Sequence, residues 1–215
     1  MDYLIIPIKS FKNSKNRLKP NLDDEARIEF CKRMALDVLN VIKNCNNFDK
    51  IIIITKEKND LSELTNDKIY FLEDDEEKGI NEAIKLAIEA YNINEKDSIL
   101  VLHADIPLIT EDDLNLISEK ANSSLRTAVI VPSKRKDGTN ALLLKPPNVI
   151  KLQFGKNSFE KHLKSLEKLQ DLKVITIENE NISLDIDTFQ DLTDFYKRNS
   201  KTLSQQYLIE KKIVK

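Results

Sequence analysis

Asp185 and Asp187 flank a single apolar residue, Ile186, in the run ISLDID. Read as a short strand, that spacing puts both carboxylates on one side and turns Leu184 and Ile186 into the core. Two like charges at a strand end repel unless a cation sits between them. Hard carboxylate oxygens select magnesium or manganese. The plainer alternative is that Asp187 or Thr188 caps the helix that follows. Asp105 adds a third carboxylate, where the apolar run of SILVLHADIPL gives way to a loop. An Asp ahead of a proline-containing turn is also ordinary loop chemistry. Together Asp105, Asp185 and Asp187 could hold one or two divalent ions, and magnesium bound by few carboxylates commonly works with substrate phosphates.

A phosphorylated partner calls for positive charge. KSFKNSKNRL supplies Lys9, Lys12, Lys15 and Arg17 directly after the first apolar run, YLIIPI. Arginine suits a planar grip on phosphate, and lysine acts as a point charge. FGKNSFEKH places Gly155 ahead of Ser158, which reads as the cap of a helix whose free N–H groups favour an anion. His162 lies one helical turn beyond Ser158 on the same face. Its plain alternative is a surface histidine or a satisfied core one. KDGTNALLL contains Asp137-Gly138, a strong hairpin signal. Gly138 also fits a place where backbone approaches a ligand closely. The chain has only 3 glycines, Gly79, Gly138 and Gly155, and each opens a segment leading into a regular element.

The elements that must position these groups follow from periodicity. Short β-branched apolar runs predict strands at 3–8, 50–55, 68–72, 98–102, 127–131, 141–144 and 173–177, with ISLDID as a further short one. Apolar residues at helical spacing predict helices over 23–45, 80–91 and 158–169. Thr110 with Asp113, and Thr188 with Asp191, predict two more helix starts. Alternating strands and helices imply an α/β fold, with a mostly parallel or mixed sheet flanked by helices. In such sheets ligands bind beyond the carboxyl ends of the strands. The basic loop, HADIPL and DIDT all fall at such ends.

Composition narrows the function classes. Lys and Arg number 34 against 36 Asp and Glu, a net charge of -2, which lacks the basic excess of a nucleic-acid surface. Apolar residues make up 40% of the 215, enough for one real core. Residues 1–198 are expected to form a single domain, and 199–215 a tail or docking arm. Cys31 and Cys45 lie too far apart along one predicted helix to bridge. No apolar run nears the roughly 20 residues of a membrane span, and MDYLIIPIKS lacks a signal-peptide layout. A soluble cytoplasmic protein is expected, with no nucleic-acid or membrane partner.

Six segments in order resemble the 2-phospho-L-lactate guanylyltransferase family of coenzyme F420 biosynthesis, which includes phosphoenolpyruvate guanylyltransferases. They are IPIKSFKNSKNRL, KGINEAI, LHADIPLIT, DGTNALLL, FGKNSFEKH and LDIDTFQDL. The resemblance implies a fold similar to GT-A glycosyltransferases and a magnesium (or manganese) ion held by Asp105, Asp185 and Asp187. It implies that Thr139, Gly155 and Ser158 contact a small phosphorylated three-carbon acid, with Gly138, Asn140 and His162 beside them. Lys9, Lys15 and Arg17 would meet the GTP triphosphate, Arg17 also serving catalysis. Gly79 and Asn81 would lie near the base or ribose. A homodimer is a further expectation. Three residues depart from the family pattern: His103 stands where Pro is usual, Asp137 where the first of two glycines is usual, and Ile80, a mild change, where Leu is usual. The rival expectations are another nucleotidyltransferase of the same fold, acting on a sugar phosphate or a molybdopterin-type cofactor, and a non-catalytic nucleotide-binding protein.

Overall fold

The structure, a computed structural model, describes residues 1–61, 66–74 and 77–214. Seven strands form one mixed sheet in the order β3-β2-β1-β4-β6-β5-β7. They are β1 (Asp2–Pro7), β2 (Lys50–Ile54), β3 (Ile69–Leu72), β4 (Ser98–Leu102), β5 (Thr127–Pro132), β6 (Thr139–Lys145) and β7 (Lys173–Thr176). Strands β3, β2, β1 and β4 pair in parallel, and β7 pairs in parallel with β5. Only β6 runs against its neighbours, β4 and β5.

Alternation along each strand feeds two cores. Leu4, Ile6, Ile51, Ile53, Leu100 and Leu102 pack on one face with α1 (Asp24–Ile42), α4 (Glu111–Ala121), α7 (Phe189–Tyr196) and α8 (Leu203–Glu210). Tyr3, Ile5, Ile52, Ile54, Ile99 and Val101 pack on the other, with α3 (Ile80–Ala90) and α5 (Ser158–Leu166). Two short helices, α2 (Lys58–Leu61) and α6 (Glu180–Ser183), and two 3-10 turns, Phe11–Asn13 and Asn16–Leu18, complete the described elements. Burial on both faces is why these strands read as continuous apolar runs. Both predicted capping boxes are present, at Thr110 with Asp113 and at Thr188 with Asp191.

Two expectations change. Within 199–215, a helix belongs to the main core: Tyr207 and Leu208 of α8 are buried in it. Asp37 on α1 accepts hydrogen bonds from the backbone of Leu203 and Ser204, at 2.7 and 3.0 Å. The ISLDID run is also no strand. Asn179 accepts hydrogen bonds from the backbone N–H groups of Asn181 and Ile182, which winds one helical turn there. The rest continues as a loop, so its alternation of buried and half-buried residues survives without a ladder. Asp75 and Glu76 of the acidic run 73–77 lie outside the described residues. Among those described, no helix is long and apolar enough to cross a membrane.

Candidate functional site

A cleft of about 790 Å³ opens at the carboxyl ends of β1, β2 and β4, beside the start of β6. Lys9, Lys15, Arg17, Gly79, Asp105, Gly138, Thr139, Asn140, Gly155, Ser158, Asp185 and Asp187 all line it. Asn81 and His162 do not. Segments more than 170 residues apart therefore share one wall.

Asp105 sits just beyond β4, and its backbone oxygen accepts from the Ile186 N–H at 3.1 Å. That bond ties the Asp105 loop to the Asp185–Asp187 loop. Lys15 is in left-handed backbone conformation, φ 54° and ψ 38°. Its ammonium is paired with Asp105 Oδ2 at 2.5 Å and with Asp187 Oδ1. Burial pushes Asp105 upward, but Lys15 and then His103 outweigh it and hold the carboxyl below its usual range. Burial likewise works against the Lys15 ammonium, yet Asp105 and Asp187 hold its pKa above that of an ordinary lysine. Asp185 goes the other way: burial, then the Asp105 charge, raise it, against a hydrogen bond from Asn140. Asn140 Nδ2 donates to Asp185 Oδ1 at 3.1 Å and to the Ile182 carbonyl at 2.9 Å.

Among the described residues, no group of three His, Cys, Asp or Glu side chains stands ready to share a metal ion. The chemistry of the set nevertheless fits one. Asp105 Oδ1 is buried without a hydrogen-bond partner among the described residues. Asp105 and Asp187 already hold a cation between them, the Lys15 ammonium.

At the other end of the cleft, Ser158 does not cap α5. Asn157 occupies that position at φ 56° with no side-chain cap, and Ser158 is the first helical residue. Ser158 Oγ instead accepts from the Thr139 N–H at 2.9 Å, pinning the start of β6 to the start of α5. His162 lies fully buried behind Thr139. Its Nε2 accepts from the Gln153 N–H at 2.9 Å, so the ring proton falls on Nδ1 and is donated to Thr139 Oγ1 at 3.1 Å. Burial lowers its pKa to about 4. This is the satisfied core histidine, holding Thr139 from behind.

That burial has a consequence for stability. Folding keeps His162 neutral, while the unfolded chain takes up its proton near pH 6.5. Its contribution is therefore full above pH 6.5 and is lost as pH falls towards 4. The stability gap between wild type and His162→Asn should narrow by roughly 3 kcal/mol across that window. Urea denaturation of both at pH 7 and pH 4.5 tests this; a gap unchanged with pH would contradict it.

Gly138 sits in a tight place rather than a strained one. The left-handed residue of the hairpin is Lys136, at φ 57°. A Cβ at 138 would stand 3.3 Å from Ser133 Oγ, the atom that accepts from the Gly138 N–H. Gly155, at φ 123°, and Gly79, at φ 106°, are the glycines that their backbone conformation requires. Asp137 accepts from Ser133 Oγ at 2.9 Å and faces Arg135 Nε at 3.7 Å, so a cation offsets its charge. Asn81 bridges α3 to the Phe154 backbone through two hydrogen bonds, at 2.9 and 3.0 Å, and so shapes the cleft from behind. His103 packs against Phe154 with ring centres 5.7 Å apart and the planes tilted by 42°.

Sequence reasoning passed over Arg135 and Arg27. Arg135 lines the cleft and donates to Asp191 Oδ1 at 2.9 Å. Asp191 also caps the start of α7, directly after Asp187. Arg27, buried on α1, donates to the carbonyls of Phe11, Lys12 and Ser14 in the basic loop. The only signal in the sequence was an arginine on an otherwise apolar helix face.

A family model described as guanylyl transferase CofC like matches residues 2–214. The chain belongs to this family. A 2-phospho-L-lactate guanylyltransferase of Methanobrevibacter smithii is 30% identical over 211 residues, covering 98% of this chain and 91% of the relative. Its counterpart in Methanocaldococcus vulcanius is 34% identical over 208 residues, covering 95% and 89%. A phosphoenolpyruvate guanylyltransferase of Conexibacter woesei is 29% identical over 190 residues, covering 88% and 85%. The fold is similar to a putative nucleotide-diphospho-sugar transferase from Desulfovibrio desulfuricans G20, with TM-score 0.75 and 14% identity over 97% of this chain and 94% of that one. It is also similar to 4-diphosphocytidyl-2C-methyl-D-erythritolsynthase from Anaerococcus prevotii, with TM-score 0.59 and 11% identity over 97% and 96%. Family membership makes the chain a nucleotidyltransferase, and the solved structures show the nucleotidyltransferase-type fold.

Proposed function

We propose that this family member transfers GMP from GTP to the phosphate of a small three-carbon acid, in coenzyme F420 biosynthesis. The acid read first is 2-phospho-L-lactate, which names the relatives at 30% and 34% identity. Phosphoenolpyruvate is second, after the relative at 29%. What carries the reading is one cleft lined at once by the basic loop, three carboxylates and the Thr139–Ser158 pair.

A phosphate oxygen of the acid attacks the α-phosphorus of GTP. The bond from that phosphorus to the bridging oxygen breaks, and pyrophosphate leaves with the electron pair. The second pKa of a phosphate is about 6, so the nucleophile is already charged at neutral pH and needs no general base. The chain's work is positioning and charge neutralisation. Lys9 and Arg17 are exposed on the cleft and suit the triphosphate. Thr139, Gly155 and Ser158 suit the acid, and Arg135 adds a guanidinium on their side of the cleft. Asp105, Asp185 and Asp187 would hold magnesium or manganese, whose chemistry here is neutralising phosphate oxygens.

The test is pyrophosphate release with 2-phospho-L-lactate, phosphoenolpyruvate and 3-phosphoglycerate, each crossed with GTP, ATP and CTP. GTP with 2-phospho-L-lactate should show the highest kcat/KM. No release from any pair would overturn the proposal.

A further inference from the structure

Lys15 differs from the other cations of its loop. Lys9 and Arg17 line the cleft with no carboxylate partner among the described residues. The Lys15 side chain is only 9% exposed and spends its charge on Asp105 and Asp187. The oxygens it occupies belong to the carboxylates that suit a divalent ion. Asp105 Oδ1, on the same carboxylate, has no hydrogen-bond partner among the described residues, His103 Nδ1 standing 3.9 Å away.

The backbone beneath Lys15 is held firmly. Short 3-10 turns at Phe11–Asn13 and Asn16–Leu18 bracket it, and Arg27 grips the carbonyls of Phe11, Lys12 and Ser14. A left-handed conformation in a non-glycine residue costs energy and persists where its surroundings enforce it. The flexible part is the side chain, a point charge on a four-carbon stem. An ammonium and a divalent ion repel, and both need the same oxygens.

We infer that Lys15 is a tethered counter-ion that closes the carboxylate site in the nucleotide-free protein. A divalent ion and the Lys15 ammonium exclude each other there. The incoming ion displaces Lys15, whose charge is then free to meet the triphosphate. The site thus resists metal alone and accepts metal with nucleotide, because only then does the displaced ammonium gain a new anionic partner. This rests on the proposed metal-holding role of Asp105, Asp185 and Asp187.

Manganese binding to the nucleotide-free full chain, followed by the electron paramagnetic resonance of free Mn²⁺, tests it. Lys15→Met should bind Mn²⁺ at least tenfold more tightly than wild type, and Lys15→Arg should stay near wild type. Equal affinity of Lys15→Met and wild type would overturn the inference and leave the metal site standing. If neither binds Mn²⁺ with or without nucleotide, the metal site falls as well; pyrophosphate release by wild type reports separately on the proposed reaction. A measurement on wild type alone guards against a misfolded variant. Amine labelling read by peptide mass spectrometry should modify Lys15 slowly in metal-free protein and at least fivefold faster with saturating Mn²⁺. Unchanged labelling in the presence of bound Mn²⁺ would also overturn it.

Discussion

Asp105→Asn is expected to lower kcat for pyrophosphate release by about 1,000-fold, the upper range for removing one preorganised electrostatic contact. The fold should survive. Removing one partner of a buried ion pair typically costs about 3–5 kcal/mol when the other charge is left alone. Here Lys15 keeps Asp187 as its partner. Asp185, whose pKa is raised by burial and then by the Asp105 charge, loses a repulsive neighbour. The two effects oppose each other, so the net stability change should stay within about 1 kcal/mol, or roughly 3 °C in Tm. Thermal unfolding and the pyrophosphate assay, run on the same preparation, separate the two. A folded Asp105→Asn variant with kcat within tenfold of wild type would sink the assigned role of this carboxylate.

Arg27→Met should weaken the fold and the nucleotide loop together. Arg27 is 1% exposed and donates to three loop carbonyls; that of Phe11 also accepts from the Ser14 N–H at 3.2 Å, while those of Lys12 and Ser14 have no other donor among the described residues. Methionine fills much of the volume but donates no hydrogen bond. Each of the two carbonyls left unpaired costs about 1 kcal/mol, so roughly 2 kcal/mol is expected in all. Relief from desolvating the guanidinium offsets part of this, since its one carboxylate partner, Asp24, is 69% exposed. The loop that loosens carries Lys9, Lys15 and Arg17, so KM for GTP should rise as stability falls. Urea denaturation gives the first quantity and steady-state kinetics the second. A loss below 1 kcal/mol would mean that water can reach those carbonyls unaided.

Much of the architecture was legible because it depends on neighbours within a few residues. YLIIP is apolar throughout, and KIIII, SILVL and TAVIV are apolar after their first residue, as strands covered on both faces must be. The Thr110–Asp113 and Thr188–Asp191 boxes are closed by groups three residues apart, and both formed. Residues at strand exits could be placed in one cleft because a parallel sheet gathers those exits at one edge. ISLDID misled for a local reason: period-two burial marks any extended segment, whether or not a partner strand is there to pair with it.

What tertiary structure decided was the partner of each charged or polar group. Lys15 meets Asp105 and Asp187 across 90 and 172 residues of chain, and nothing in its own loop announces either. Ser158 reads as a helix cap in sequence, yet its hydroxyl serves Thr139 on another element. His162 reads in sequence as a substrate neighbour or as a surface or core histidine, and packing buries it behind Thr139. Periodicity and capping are short-range and survive in a single sequence. The pairing of charges is set by which distant segments the sheet order brings together, and that order exists only once the chain has folded.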